Sequence, residues 1–240
     1  MIKVGCCGFG KTRGAYFKKF DLVETKQTFY QVPLPKTARR WKQEAGRNFE
    51  FAVRAWQLIT HPPESPSYEK LKDCLPPRSL RNYGWFQLTP EVLSAWERTV
   101  EVARSLDARV ILFESPTGFL PEKTCIDNLT KFFGSIHREN FLMVWEPRSP
   151  WPADLAVSLC RGLNLGLGCD PFVQRPLTGT PWYLRLHGPE NKTGQYSDRD
   201  LMDLCRLVED VDDAYVLFNN ETRLEDAERF KTLLKTRRTS

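Results

Sequence analysis

One stretch of this chain alternates polar and apolar side chains, and a second divides into two faces by the same parity. Tyr183, Arg185 and His187 interleave with Leu184 and Leu186, and Leu112 and Glu114 interleave with Ile111 and Phe113. A period of two is that of a β-strand, so each alternate set shares one face. If the leucines pack outward against helices, Arg185 and His187 point into a closed interior, about 7 Å apart along the strand. The same parity places Glu146 with Val144, Asn219 with Leu217, Arg54 with Ala52 and Trp56, and Glu24 with Lys26 and Thr28. Asp170 ends a stretch in which Gly166 and Gly168 leave room inside. The expected inward set is Glu24, Arg54, Glu114, Glu146, Asp170, Arg185, His187 and Asn219. Unpaired charge is costly to bury, so such a set either pairs internally as a structural network or binds something.

Acid–base chemistry is the natural use of these groups. His187, beside Arg185 and facing acidic strand ends, suits a general acid–base, although a histidine standing alone is more often a hydrogen-bonded structural residue than a catalyst. Glu146 is the preferred second carboxylate, as base or as ligand to one hard cation, and Asp170 joins them as a catalytic candidate. Arg148 and Arg185 offer planar forks for a phosphate or carboxylate. Asn219 and Asn220 suit a substrate hydroxyl or amide, and Glu24, Tyr30, Arg54 and Glu114 complete the expected binding set. One Mg²⁺ or Mn²⁺ among Glu114, Glu146 and Asp170 is compatible with these residue types. The three histidines are too few for a three-zinc centre, and His137 is expected in a helix near solvent.

These side chains need strands to aim them. Eight candidates occur: Ile2–Gly8, Leu22–Phe29, Phe49–Trp56, Arg109–Ser115, Leu142–Glu146, Leu163–Cys169, Trp182–His187 and Ala214–Asn219. Helical patterns include Pro90–Leu106, Asp127–His137, Asp198–Val208 and Leu224–Leu234. Thr89-Pro90-Glu91 reads as a helix start: a hydroxyl cap, a proline at the first position and an acid at the positive end of the dipole. Alternating β and α units predict parallel strands with right-handed crossovers, closed as a single (β/α)8 TIM-type barrel over residues 1–240, with an open doubly wound sheet as the alternative. Residues 57–88 form a long loop after the third strand, and residues 173–181 are too short for a full sixth helix. The Pro62-Pro63 and Pro76-Pro77 pairs predict that 57–88 covers the mouth as an irregular lid. His61 belongs either to that lid or to a structural turn.

Composition narrows the setting. The 35 Lys and Arg against 30 Asp and Glu give a net charge of +5, a mild bias toward anionic partners, whether small molecules or nucleic acid. No run reaches the roughly 18 apolar residues of a membrane span. Seven scattered cysteines without a C-x-x-C fit reduced thiols in a cytoplasmic protein. Gly5-Cys6-Cys7-Gly8-Phe9-Gly10-Lys11-Thr12 matches the spacing of a phosphate-binding loop. However, Arg13-Gly14 follows at once and the next strand begins about ten residues later, so the sturdy helix such a loop needs is not expected.

Several motifs in order carry a resemblance. Val23-Glu24, Thr28-Phe29-Tyr30 and Pro33 come first, followed by Phe49–Trp56 and Ile59-Thr60-His61-Pro62. Trp145-Glu146-Pro147-Arg148 with Trp151, Asp170-Pro171-Phe172, Tyr183–Gly188 and Phe218-Asn219-Asn220 complete the series. Together they resemble the domain-of-unknown-function 72 (YecE-like) family across almost the whole chain. The resemblance implies a TIM-type barrel and brings no settled activity with it. This sequence departs from the family pattern at Gly5-Cys6-Cys7-Gly8-Phe9, Lys26, Arg54 and Glu114, where G-x-S-G-W, Asn, Lys and Gln are usual.

Two functions from different classes follow. One is a hydrolase or lyase acting on a phosphorylated or nucleotide-like substrate at the carboxyl mouth of the barrel. The other is a non-catalytic nucleic-acid-binding module, using Tyr30, Trp56, Trp85, Trp145 and Trp151 with neighbouring arginines. A P-loop NTPase and a sugar isomerase have weaker support.

Overall fold

Eight parallel strands hydrogen-bond in chain order, and the last returns to the first to close the barrel. They are β1 (Ile2–Cys7), β2 (Leu22–Thr25), β3 (Glu50–Arg54), β4 (Val110–Ser115), β5 (Leu142–Pro147), β6 (Gly166–Cys169), β7 (Trp182–Leu186) and β8 (Ala214–Phe218). The computed structural model describes residues 1–10, 12–176, 179, 181–189 and 194–239. Around the strands lie α1 (Arg13–Phe17), α2 (Lys26–Tyr30), α3 (Pro35–Ala45), α4 (Gln57–Thr60), α5 (Pro90–Ser105), α6 (Lys123–Ser135), α7 (Ala153–Gly162), α8 (Asp198–Glu209) and α9 (Arg223–Thr239). No helix among the described residues is long and apolar enough to cross a membrane.

Strand parity holds. Cys7, Leu22, Ala52, Val110, Leu112, Val144, Tyr183, Tyr215 and Leu217 fill the barrel interior as one buried cluster. Ile111, Phe113, Leu184 and Leu186 belong instead to the larger cluster beneath the helices. α5 shows how the outer layer forms: the Thr89 hydroxyl accepts from Val92 N, Pro90 opens the helix, and Val92, Ala95, Trp96, Thr99, Val100 and Ala103 are buried.

Several expected boundaries move. β2, expected over Leu22–Phe29, ends at Thr25, and the Thr-Phe-Tyr run that looks strand-like is part of the short helix α2. Threonine hydroxyls make the switch: Thr28 Oγ1 lies 2.6 Å from the Thr25 carbonyl and 2.7 Å from that of Arg54, meeting acceptors at two strand ends. β6 begins at Gly166 rather than Leu163, because Leu163 ends α7 and Asn164 turns the chain at φ 50°. α6 stops at Ser135, so exposed His137 lies beyond the helix expected to hold it. Among the described residues no helix separates β6 from β7; Leu177, Thr178 and Thr180 of that connection lie outside them.

The 57–88 segment folds against the carboxyl ends of β2, β3 and β4. It holds α4 and two short 3₁₀ helices, Pro66–Lys70 and Pro77–Asn82. Gln57 Nε2 donates to the Tyr30 carbonyl, the His61 ring meets Phe29 edge-on at 4.8 Å, and Trp85 stacks on Phe119 at 5.9 Å. Gly84 (φ 80°) passes so close to the chain that a Cβ would sit 2.3 Å from the His61 carbonyl oxygen, which admits no other residue.

His61 is 9% exposed, and burial, helped by the charge of Arg54, lowers its pKa from 6.5 to about 4. The unfolded chain therefore takes up a proton near pH 6.5 that the folded chain refuses until about pH 4. The folded state keeps its full His61 contribution above pH 6.5 and loses it progressively as pH falls to about 4, by up to about 3 kcal/mol. Chemical denaturation of wild type and His61→Gln across that window should show a steeper acid loss in wild type. Parallel curves would refute the assignment.

Candidate active site at the carboxyl end of the barrel

Register puts Glu114 of β4 directly beside Glu146 of β5. Two carboxylates side by side in a barrel need a cation between them, and Arg185 from β7 supplies it. Its Nη1 donates to Glu114 Oε2 and Glu146 Oε2, and its Nη2 donates to Glu24 Oε1 at 2.9 Å. Nε lies 2.9 Å from Glu24 Oε2, which also accepts from the Tyr183 hydroxyl at 3.0 Å. Arg185 and Glu24 are fully buried and Glu146 nearly so. Arg54 closes the far side: its Nη2 donates to Glu114 Oε1 at 2.7 Å, and its guanidinium lies 3.6 Å from the centroid of the Phe29 ring.

Burial alone would push these carboxyls toward neutrality. Arg54 and Arg185 outweigh it at Glu114, and Arg185 with the His187 hydrogen bond outweighs it at Glu146, so both are held below the ordinary carboxylate range. Burial likewise opposes the charge of Arg185, but Glu146 and Glu24 prevail and raise its pKa.

His187 stands one residue past β7, where the cluster meets the open mouth. Its Nε2 lies 2.7 Å from Glu146 Oε1, and its Nδ1 lies 3.2 Å from Asn219 Nδ2. With the Asn219 amide in this orientation, Nδ1 is the acceptor and the proton sits on Nε2, toward Glu146. Arg148 reaches the same Glu146 oxygen at 3.5 Å while its side chain stays 39% exposed. A cleft of about 480 Å³ opens here, bordered by Glu146, Arg148, Trp151, Asp170, His187 and Gly188.

Of the expected inward residues, Glu24, Arg54, Glu114, Glu146, Arg185, His187 and Asn219 converge in this one network. Asp170 borders the cleft, but its carboxylate is engaged by main chain: Oδ2 accepts from His187 N at 2.8 Å and Oδ1 from Phe172 N at 3.0 Å. It fixes the backbone that carries His187. Asn220 departs from expectation. Its Nδ2 lies 2.7 Å from Asp226 Oδ2 and 2.8 Å from the Gly194 carbonyl, turning the amide toward the start of α9 and away from His187. Tyr30 stands at the rim near β1 and β2, with Lys70 Nζ 4.6 Å from its ring centroid. Tyr183 and Cys7 are missing from the expected set, although both face inward by the same alternation that reveals Arg185.

The carboxylates expected to hold Mg²⁺ or Mn²⁺ do not fit that task as arranged. Glu114 serves Arg54 and Arg185, Glu146 serves Arg185 and His187, and Asp170 serves two amides. Among the described residues, no group of three or more His, Cys, Asp or Glu side chains is disposed to hold a metal ion. The phosphate-loop reading of Gly5–Thr12 meets a five-residue helix in place of the long one it requires, and Lys11 lies outside the described residues.

The profile of the family described as "Protein of unknown function DUF72" matches residues 11–240. The chain belongs to the DUF72 family. The UPF0759 protein YunF of Bacillus subtilis (strain 168) is 23% identical over 273 aligned residues, covering 98% of this chain and 94% of YunF. A DUF72 family protein of Enterococcus faecalis V583 superimposes with a TM-score of 0.71 at 18% identity, covering 98% of both chains. At greater distance, endonuclease IV from Thermus thermophilus gives 0.52 at 11% identity over 99% of this chain and 98% of its own. At such identities the two structures share the barrel with this DUF72 chain, and the likeness is one of fold.

Proposed function

We propose that this DUF72 protein is a hydrolase or lyase acting on a phosphorylated or nucleotide-like substrate in the cleft beside His187. The supporting observation is the line Glu146–His187–Asn219, with Arg148 on the same carboxylate, at the edge of an open cleft. An ionised Glu146 fixes one ring nitrogen of His187 and favours the imidazolium that forms when the other takes a proton. The receiving nitrogen is Nδ1, whose partner is the uncharged Asn219 amide. A water or substrate hydroxyl replacing that amide would give its proton to Nδ1, and the leaving oxygen would recover it. Arg148, half in solvent, can turn its fork onto a phosphate without breaking the buried network.

The nucleic-acid-binding module loses part of its support. Trp56, Trp145 and Trp151 are buried, and both Trp85 and Trp151 stack on Phe119 instead of presenting open faces to bases. Purified protein assayed on phosphomonoesters, phosphodiesters and nucleosides, with and without Mg²⁺ or Mn²⁺, should turn over one of these classes. No turnover on any of them, together with nucleic-acid binding that weakens steeply with salt, would decide for the module.

A further inference from the structure

On the opposite flank of the mouth, a second cavity of about 530 Å³ lies over the ends of β1 and β2. Its lining includes Cys7, Gly8, Gly10, Thr12, Lys26 and Arg223, together with Arg13 and Tyr30. Among the described residues three cations and no carboxylate line it, whereas the His187 cleft carries Glu146 and Asp170.

The cations differ in how far they are committed. Arg13 is taken by Glu44, with Nε 2.9 Å from Oε2. Lys26 is exposed and makes no ion pair among the described residues, and its Cβ packs beside Gly8. Arg223 is half-buried at the first position of α9, and its Nε is shielded from solvent with no hydrogen-bond partner among the described residues. A buried guanidinium donor without an acceptor is unfavourable unless something brings the acceptor. Thr12, whose hydroxyl caps no helix amide, lines the same space.

We infer that this cavity is a phosphate-binding subsite, in which Arg223 and Lys26 grip an anionic phosphate and Thr12 donates to it. Gly8, Gly10 and Thr12 of the stretch with phosphate-loop spacing would thus border a phosphate after all, held by side chains brought from α2 and α9. Cys7 lines the cavity and pairs in register with Glu24, so the subsite adjoins the buried network. A ligand could occupy the centre of the mouth while placing a phosphate here. The inference shares with the proposed function only the anionic character of the ligand, and phosphate binding can be measured without turnover.

The test is calorimetric titration of inorganic phosphate into the full chain at fixed ionic strength, with amide shifts followed by NMR. Wild type should bind, with the largest shifts at Gly8, Gly10 and Thr12. Lys26→Gln and Arg223→Gln should each weaken binding by about tenfold, the loss of one charge-assisted contact. Arg148→Gln, which alters the separate His187 cleft, should leave the shifts at Gly8, Gly10 and Thr12 in place. Lys26 is exposed, so its variant keeps the test valid if Arg223→Gln folds poorly. Absence of phosphate binding in wild type would overturn the inference. So would wild-type affinity in Lys26→Gln, or shifts confined to the His187 cleft and lost in Arg148→Gln.

Discussion

Arg185→Met should destabilise the protein by roughly 3–5 kcal/mol, the penalty for leaving buried charge without its partner. Glu24, Glu114 and Glu146 would face one another with Arg54 as the remaining buried cation of the set. Glu114 and Glu146 would respond by taking up protons, so their pKa values would rise above those of the unfolded chain. The sign of the pH dependence then reverses. In wild type the folded-state values of Glu114 and Glu146 are depressed, so their contribution is present above about pH 4.5 and lost as acid protonates them. In the variant, stability would be greatest in acid and lost as pH rises through the raised values. Urea denaturation of both proteins at pH 5 and pH 8 checks this. A variant that loses less than about 1 kcal/mol, or that keeps the wild-type direction with pH, would show that Arg185 does not hold the network together.

His187→Ala should leave a folded barrel with activity reduced by about 10²–10⁴, the usual contribution of a general acid–base. The stability effect should be small, because the His187 side chain is 20% exposed and Glu146 keeps Arg185 as its partner. His187→Gln separates chemistry from architecture: glutamine can donate to Glu146 but cannot accept and return a proton. Both variants should be equally inactive. If His187→Gln retains near-wild-type turnover, or if both variants unfold, His187 is a structural residue and the proposed chemistry falls.

The barrel and the inward set were legible for the same physical reason. In a barrel strand every second residue meets the helices and must be apolar, so Leu184 and Leu186 betray the orientation of Arg185 and His187. Partners were less legible, because they depend on register and stagger that no single strand encodes. Nothing local says that Glu114 and Glu146 sit side by side, or that one guanidinium reaches Glu24 as well. The metal expectation counted acidic ligands without the cation already among them. Asp170 borders the cleft as its position at a strand end implies, but two main-chain amides claim its oxygens through contacts that only the folded loop creates. Asn220 follows Asn219 by one residue, enough to send its amide to Asp226. At the end of β2, the Thr28 hydroxyl reaches a carbonyl of the next strand, a tertiary contact that overrides a strand-like run.

The wall of the barrel is unevenly stitched. β6 shares two register pairs with β5 and two with β7, whereas β4 and β5 share six. Among the described residues no helix braces the connection that follows β6, and that connection borders the His187 cleft through Val173 and Gln174. For an evolving lineage this is where the barrel can most readily accept new sequence. Lengthening such a loop carries an entropic penalty that grows only with the logarithm of its length, and an added segment would reach the cleft without disturbing the buried ring around Arg185. The shape of the cleft and the integrity of the barrel are therefore written in different parts of the chain, and the first can drift while the second is held.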